Sequence, residues 1–236
     1  MSLSNITENQ NPCQRYMEWR GGVGQLKWYD KSEGVDKFIK LPFRFLMLDK
    51  LVTIKGFSDE EQGGIWSNEV RDTRTDILTV RTKRGIKAQG LYNDVKHVNG
   101  ARFTQSVYCA YKNDDGDLVI GNLQLHGVAN SAFIEFCKQH KVYGKTITIT
   151  GSIDGKKGAT KFKIPVFELG EASEETVAEA IALDRQLQEY LNVYLDREPE
   201  TVEEEYPDYS EDGYTGVNLD AEPPEETGSP DDDINW

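Results

Sequence analysis

Cysteine, methionine and histidine are scarce, three of each in 236 residues. Cys13, Cys109 and Cys137 form an odd set without regular spacing, which excludes a disulfide framework and leads us to expect a reducing, cytoplasmic setting. Cys137 and His140 share one helical face, with Cys109 and His126 as further metal-ligand candidates, but zinc needs about four converging ligands. The plainer reading is that Cys137 and His140 complete a buried helix face, so no metal or cofactor is expected. Long apolar runs are missing too: nothing approaches the roughly 18 residues of a membrane-crossing helix. Met1–Pro12 has no apolar stretch after a basic start, so no signal peptide is expected.

Catalytic signatures are equally absent. Gly-x-Ser-x-Gly and His-Glu-x-x-His do not occur. The run from Gly151 to Lys156 lacks the spacing and the following Ser/Thr of a phosphate-binding loop, and Gly21-Gly22-Val23-Gly24 lacks a strand–helix setting. Asn113, Asp115 and Asp117 begin like a calcium loop, but Leu118 stands where glycine is required and Gln124 where glutamate would close it. No Asp…Glu-x-Lys grouping suggests a nuclease. The expectation is a binding protein, not an enzyme.

Basic charge is missing from one end only. Residues 1–167 hold 25 Lys/Arg and 18 Asp/Glu, a balance of +7; residues 168–236 hold 2 and 23, a balance of −21, which together give the net −14. A mildly basic body on a strongly acidic end attracts polyanions at one end and repels them at the other. From Glu198 onward there are 15 Asp/Glu, no Lys or Arg and five of the eight prolines, a composition expected to stay disordered. As a free coil, these 39 residues would span about 35 Å, enough to reach across the body.

The body reads as β. Residues 1–15 are expected to be a loose arm. Gln25–Tyr29, Val35–Lys40 and a long bent strand within Leu41–Phe57 follow, then a polar loop from Ser58 to Thr75 holding Gly63-Gly64 and Trp66. Asp76–Thr82 and Ile86–Tyr92 flank a hairpin turn at Lys83-Arg84-Gly85; Arg102–Tyr111 and Asp117–Leu125 flank another at Asn113–Gly116. Ala129, Ala132, Phe133, Phe136, Cys137 and His140 form one continuous helical face, and Lys145–Ser152 with Thr160–Glu168 make a final hairpin. Strands, one helix, then two strands is the order of an OB-fold, so residues 16–170 are expected to form an elaborated five-stranded barrel with its helix between strands three and four. Ser173 caps an amphipathic helix to about Asp196, within residues 171–197, which could pack on its own body or pair with a second chain.

The chain ends Asp231-Asp232-Asp233-Ile234-Asn235-Trp236. An apolar anchor beside carboxylates suits capture by a basic, apolar pocket. This stretch resembles the C-terminal tip of bacterial and phage single-stranded DNA-binding proteins, whose bacterial form reads Asp-Asp-Asp-Ile-Pro-Phe. Asp231, Asp232, Asp233 and Ile234 match; Asn235 replaces Pro and Trp236 replaces Phe. The resemblance implies a phage-type protein that coats single-stranded DNA in replication, recombination and repair, and recruits replication proteins through Asp231, Asp232, Asp233, Ile234 and Trp236.

Binding a strand regardless of sequence needs cations for phosphates and aromatic faces for bases. The stacking candidates are Trp28, Trp66, Tyr92, Tyr108 and Tyr111. The cationic candidates are Arg71, Arg74, Arg81, Lys83, Arg84, Lys87, Lys96, Arg102, Lys161 and Lys163. The same composition would serve a single-stranded RNA-binding OB protein, whereas an acidic scaffold or DNA mimic would use the −21 segment alone.

Overall fold

The computed structural model describes residues 10–197, and the expectations for the first nine residues and for the acidic end lie outside that range. The chain is mainly β, in one mixed sheet of eleven strands, with a C-terminal helix. Three short N-terminal strands come first: β1 (Arg15–Arg20), β2 (Gln25–Asp30) and β3 (Val35–Ile39). The long strand β4 (Phe43–Ser58) follows, then β5 (Gly63–Ser67), the hairpin of β6 (Leu78–Thr82) with β7 (Gly85–Gly90), and the single turn α1 (Tyr92–Val95). Next come β8 (Ala101–Lys112), β9 (Leu118–His126), α2 (Gly127–Gln139), β10 (Thr146–Lys157), β11 (Thr160–Gly170) and α3 (Glu174–Leu195). The expected hairpins and both long helices are found. β1, β5 and α1 were not expected, and β5 replaces part of the supposed polar loop.

The main path of the sheet runs β3-β2-β1-β9-β8-β4-β5-β6-β7, with β10 pairing on β4 and β11 on β10. The expected five-stranded barrel is corrected here: the sheet has more strands and does not close. β1 runs parallel to β9 and takes up that strand's free edge. Between β11 and the turn after β1, one backbone bond (Lys163 N–H to Gly21 O, 2.8 Å) and the Trp19 indole N–H to Lys163 O (2.9 Å) span the seam. Two bonds bring the edges together without making a ladder.

β4 organises the whole. Its apolar residues change parity midway, and a bulge between Met47 and Asp49 absorbs the change. Phe43, Phe45 and Met47 therefore join the main core beneath α2, with Phe133, Phe136 and Ile147. Beyond the bulge Ile54 still faces that same side, in a second core with Ile65, Leu78, Val80 and Val95. At its far end β4 meets the turn before β8 backbone to backbone: a Cβ on Gly56 would lie 1.9 Å from the Gly100 carbonyl oxygen.

α3 lies on the opposite side of the sheet. The Ser173 hydroxyl accepts the Thr176 N–H at 3.2 Å, and Glu174 and Glu175 occupy the first turn, where the helix dipole favours them. Leu187 and Leu191 pack on Leu51, Tyr108 and Ile120, and Ala180 on Leu46 and Ala110. Of the two fates open to this helix, the described chain shows packing on its own sheet. Among the described residues no helix is long and apolar enough to cross a membrane.

Candidate nucleic-acid interface

α3 covers only half of its side of the sheet, and the other half is polar. Residues paired across strands point the same way, so the pairings identify the rows on this side of the sheet. Arg102 pairs with Lys55, Lys55 with Trp66, and Trp66 with Arg81, a row crossing β8, β4, β5 and β6. A second row joins His126, Thr104 and Thr53. A third runs from Phe38 through Lys27, Glu18 and Gln124 to Ser106. The alternation puts core residues such as Met17, Leu26 and Ile54 on the far side.

The two ends of this surface differ. At the β1–β3 end the aromatic side chains of Tyr16, Tyr29 and Phe38 reach solvent, Phe38 being 53% exposed. The charges there are partly matched: Lys27 pairs with Asp36 at 2.7 Å and Arg20 with Glu18 at 3.7 Å. The Arg102–Lys55–Trp66–Arg81 row contains three cations, one half-buried indole and no carboxylate. Beside it a cavity of about 390 Å³ is lined by Trp66, Arg81, Tyr194 and Arg197 and also by the carboxylates Glu69 and Asp76. That volume is in the range of small-ligand pockets.

Lys55 joins this row to a buried polar cluster. Its ammonium lies 5.7 Å from the centre of the Tyr16 ring and donates to Gln124 Oε1 at 3.0 Å; burial pushes its pKa below the usual lysine value. Glu69 sits deeper. Its carboxylate accepts hydrogen bonds from the Ser106 hydroxyl and, at 2.6 Å, from the Tyr108 hydroxyl, while Asn122 donates to Ser106 Oγ at 2.6 Å. Burial pushes the Glu69 pKa up; the Ser106 and Tyr108 bonds and the Lys55 charge act against it. Both groups therefore lose solvation where they sit, and the cluster holds α3 too, because the Glu69 N–H donates to the Tyr194 hydroxyl at 2.9 Å.

No protein-family model, curated protein or solved structure matches this chain. Its surface has to be read from its own chemistry.

The structure gathers three of the expected site residues, Trp66, Arg81 and Arg102, into one row. It scatters the others. Tyr108 and Tyr111 are corrections: both are buried, Tyr108 under α3 and Tyr111 in the main core against Phe43, so neither offers a face to a base. Trp28 shares the core side with Met17, and one face of its ring is covered by the Arg15 guanidinium at 4.2 Å. Tyr92 packs edge-on against Phe103 beside the second core, on the side away from the row. Arg71 stands apart from the row: its guanidinium grips both Asp49 oxygens, at 3.2 and 2.9 Å, and Gln188, which fastens α3 to the sheet. Arg74 pairs with Asp72.

Lys83, Arg84, Lys87 and Lys96 are exposed around the β6–β7 hairpin and the end of α1, with Lys87 paired to Glu61. Lys163 pairs with Asp154 at 2.7 Å, and Lys161 stands opposite Lys156 on the β10–β11 arm. Asp231, Asp232, Asp233, Ile234 and Trp236 lie outside the described residues. Sequence reasoning missed Tyr16, Phe38 and Lys55, and took His126 only as a metal-ligand candidate. For Tyr16 a signal was present, the alternation of Tyr16, Glu18 and Arg20 with buried Met17 and Trp19. Among the described residues no three of His, Cys, Asp and Glu gather to hold a metal ion.

Proposed function

We propose that this chain is a phage-type protein that binds single-stranded DNA without sequence preference and coats it during replication, recombination and repair. The observation that carries the reading is the Arg102–Lys55–Trp66–Arg81 row, cations flanking a half-buried indole on the side of the sheet that carries α3. This is the combination that sequence-tolerant strand binding requires: charge for the phosphates and a π face for the bases. The body is read as an OB-type elaboration in which β4, β8 and β9 are the first three strands, α2 the intervening helix and β10–β11 the last hairpin. The element order and the antiparallel pairing of β10 with β4 support it. The acidic end competes with DNA for the cationic face and recruits replication proteins through Asp231–Trp236.

Titrating the full-length protein with oligo-dT while following tryptophan fluorescence tests the reading. Saturable quenching that weakens with salt is expected; no quenching and no salt-sensitive binding would refute it. Deleting Glu198–Trp236 should tighten binding, most at low salt, where screening is weakest. Unchanged or weaker binding by that variant removes the competition. An oligo-U competitor decides between DNA and RNA through the 2′-hydroxyl.

A further inference from the structure

On the side of the sheet away from the cationic row, the C-terminal end of α2 overhangs a cavity of about 500 Å³. Its walls are apolar where Met47, Phe133 and Ile134 line it. Its rim carries Lys50, Lys138 and Lys141, and no carboxylate lines it. Tyr143, 63% exposed, stands at the mouth. The uncharged polar residue on the strand side is Gln105, only 5% exposed, whose Oε1 has no hydrogen-bond donor among the described residues. A buried acceptor without a donor is a standing penalty that a ligand's N–H would relieve.

The lining thus suits an apolar group bearing an N–H donor, with several negative charges close by. We propose that the cavity is the docking site for Asp231–Trp236 of this chain. The Trp236 indole has one N–H and no acceptor, so it matches the Gln105 oxygen and the apolar walls together. Asp231, Asp232 and Asp233 match the three rim lysines. The span is adequate. The 33 residues from 198 to 230 cover about 32 Å as a free chain, comparable with twice the roughly 16 Å radius of gyration of a folded body of this size. Docking there would hold the acidic run at high effective concentration beside the body. Docking withholds the tip from the partners given to it above until it is released, and the proposal stands whether or not the sheet face binds DNA.

The test uses the full-length chain with p-benzoylphenylalanine in place of Tyr143, photolysed and mapped by mass spectrometry. Cross-links to Ile234–Trp236 are expected, lowered at least about tenfold by Trp236→Ala and by the paired exposed changes Lys138→Glu and Lys141→Glu, a loss equivalent to about 1.4 kcal/mol. Cross-links confined to other segments, or a yield indifferent to Trp236→Ala, would overturn the proposal. A second measurement needs no cross-linker. Unfolding midpoints of Gln105→Met, Trp236→Ala and the double variant should be non-additive, since the two residues share one contact; simple additivity would also overturn it. Oligo-dT titration of the same proteins separates the outcomes: docking can fail while DNA binding survives, and the reverse.

Discussion

Trp66→Ala perturbs the row at its only aromatic residue. Trp66 lies between Lys55 and Arg81 across two strand pairings and is half-buried, so one part of the indole packs on the body and another faces the cavity. Loss of one base stack is worth about 1–3 kcal/mol, which weakens strand affinity about 5- to 150-fold. The same change also removes packing. Full truncation of a core tryptophan costs about 3–5 kcal/mol, so half-burial implies roughly 2 kcal/mol of stability, enough to lower the unfolding midpoint while the protein stays folded. Affinity should be measured by anisotropy with labelled oligo-dT well below that midpoint. Trp66→Phe, which keeps a π face, should recover much of the loss, and the fluorescence quenching on binding should fall sharply in both variants. A folded Trp66→Ala protein with unchanged affinity would refute the assignment of the row as the strand-binding surface.

Other perturbations separate charge, burial and packing. Arg102→Ala, at an exposed end of the row, should shallow the salt dependence of binding by about 0.7 in log–log slope, the value for one phosphate contact on a single strand; an unchanged slope would place the strand elsewhere. Tyr108→Phe deprives the buried Glu69 carboxylate of a hydrogen bond and should cost about 1–3 kcal/mol in denaturant unfolding, with oligo-dT affinity unchanged because the ring lies under α3. Glu69 is held above its ordinary value of 4.5 by burial, so the folded chain binds that proton more tightly than the unfolded one. Its contribution to stability is fully present below 4.5 and is lost as pH rises through the folded-state pKa. Glu69→Gln should flatten this part of the stability–pH curve, and an identical curve would show that Glu69 is not the group responsible.

Element type was readable wherever local pattern and tertiary burial agree. The hairpins at Gly85 and Gly116, the Ala129–Phe133–Phe136 face of α2 and the packed face of α3 follow from alternation, turn residues and helical spacing. His140, expected to complete the α2 face, is instead exposed beyond the helix end because the backbone turns extended there. β5 was hidden because Gly63-Gly64 has the composition of a loop, and only pairing with Lys55–Ser58 makes it a strand. Tyr108 and Tyr111 lie three apart, and both are buried because the two sides of β8 are covered by different partners, α3 on one and the main core on the other. A strand covered on both sides gives no polar alternation from which to separate stacking residues from packing residues. The basic hairpin around Lys83 attracted attention by density alone. The assembled row instead draws one residue from each of four strands, a grouping that exists only after pairing.

The bulge in β4 marks the place in that strand where one residue can be lost without turning the rest of the strand over. Excising Leu48 would heal the bulge and leave Asp49 opposite Tyr108, whereas excising Val52 would turn Lys55 and Thr53 towards the second core and expel Ile54 from it. A codon lost at Val52 would therefore dismantle a hydrophobic centre and erase the basic track together, whereas no single replacement at that position reverses the side-chain directions. A scan of one-residue deletions along Phe43–Ser58, read by solubility and oligonucleotide retention, should show the frame of this strand to be far less forgiving than its individual letters, Leu48 excepted.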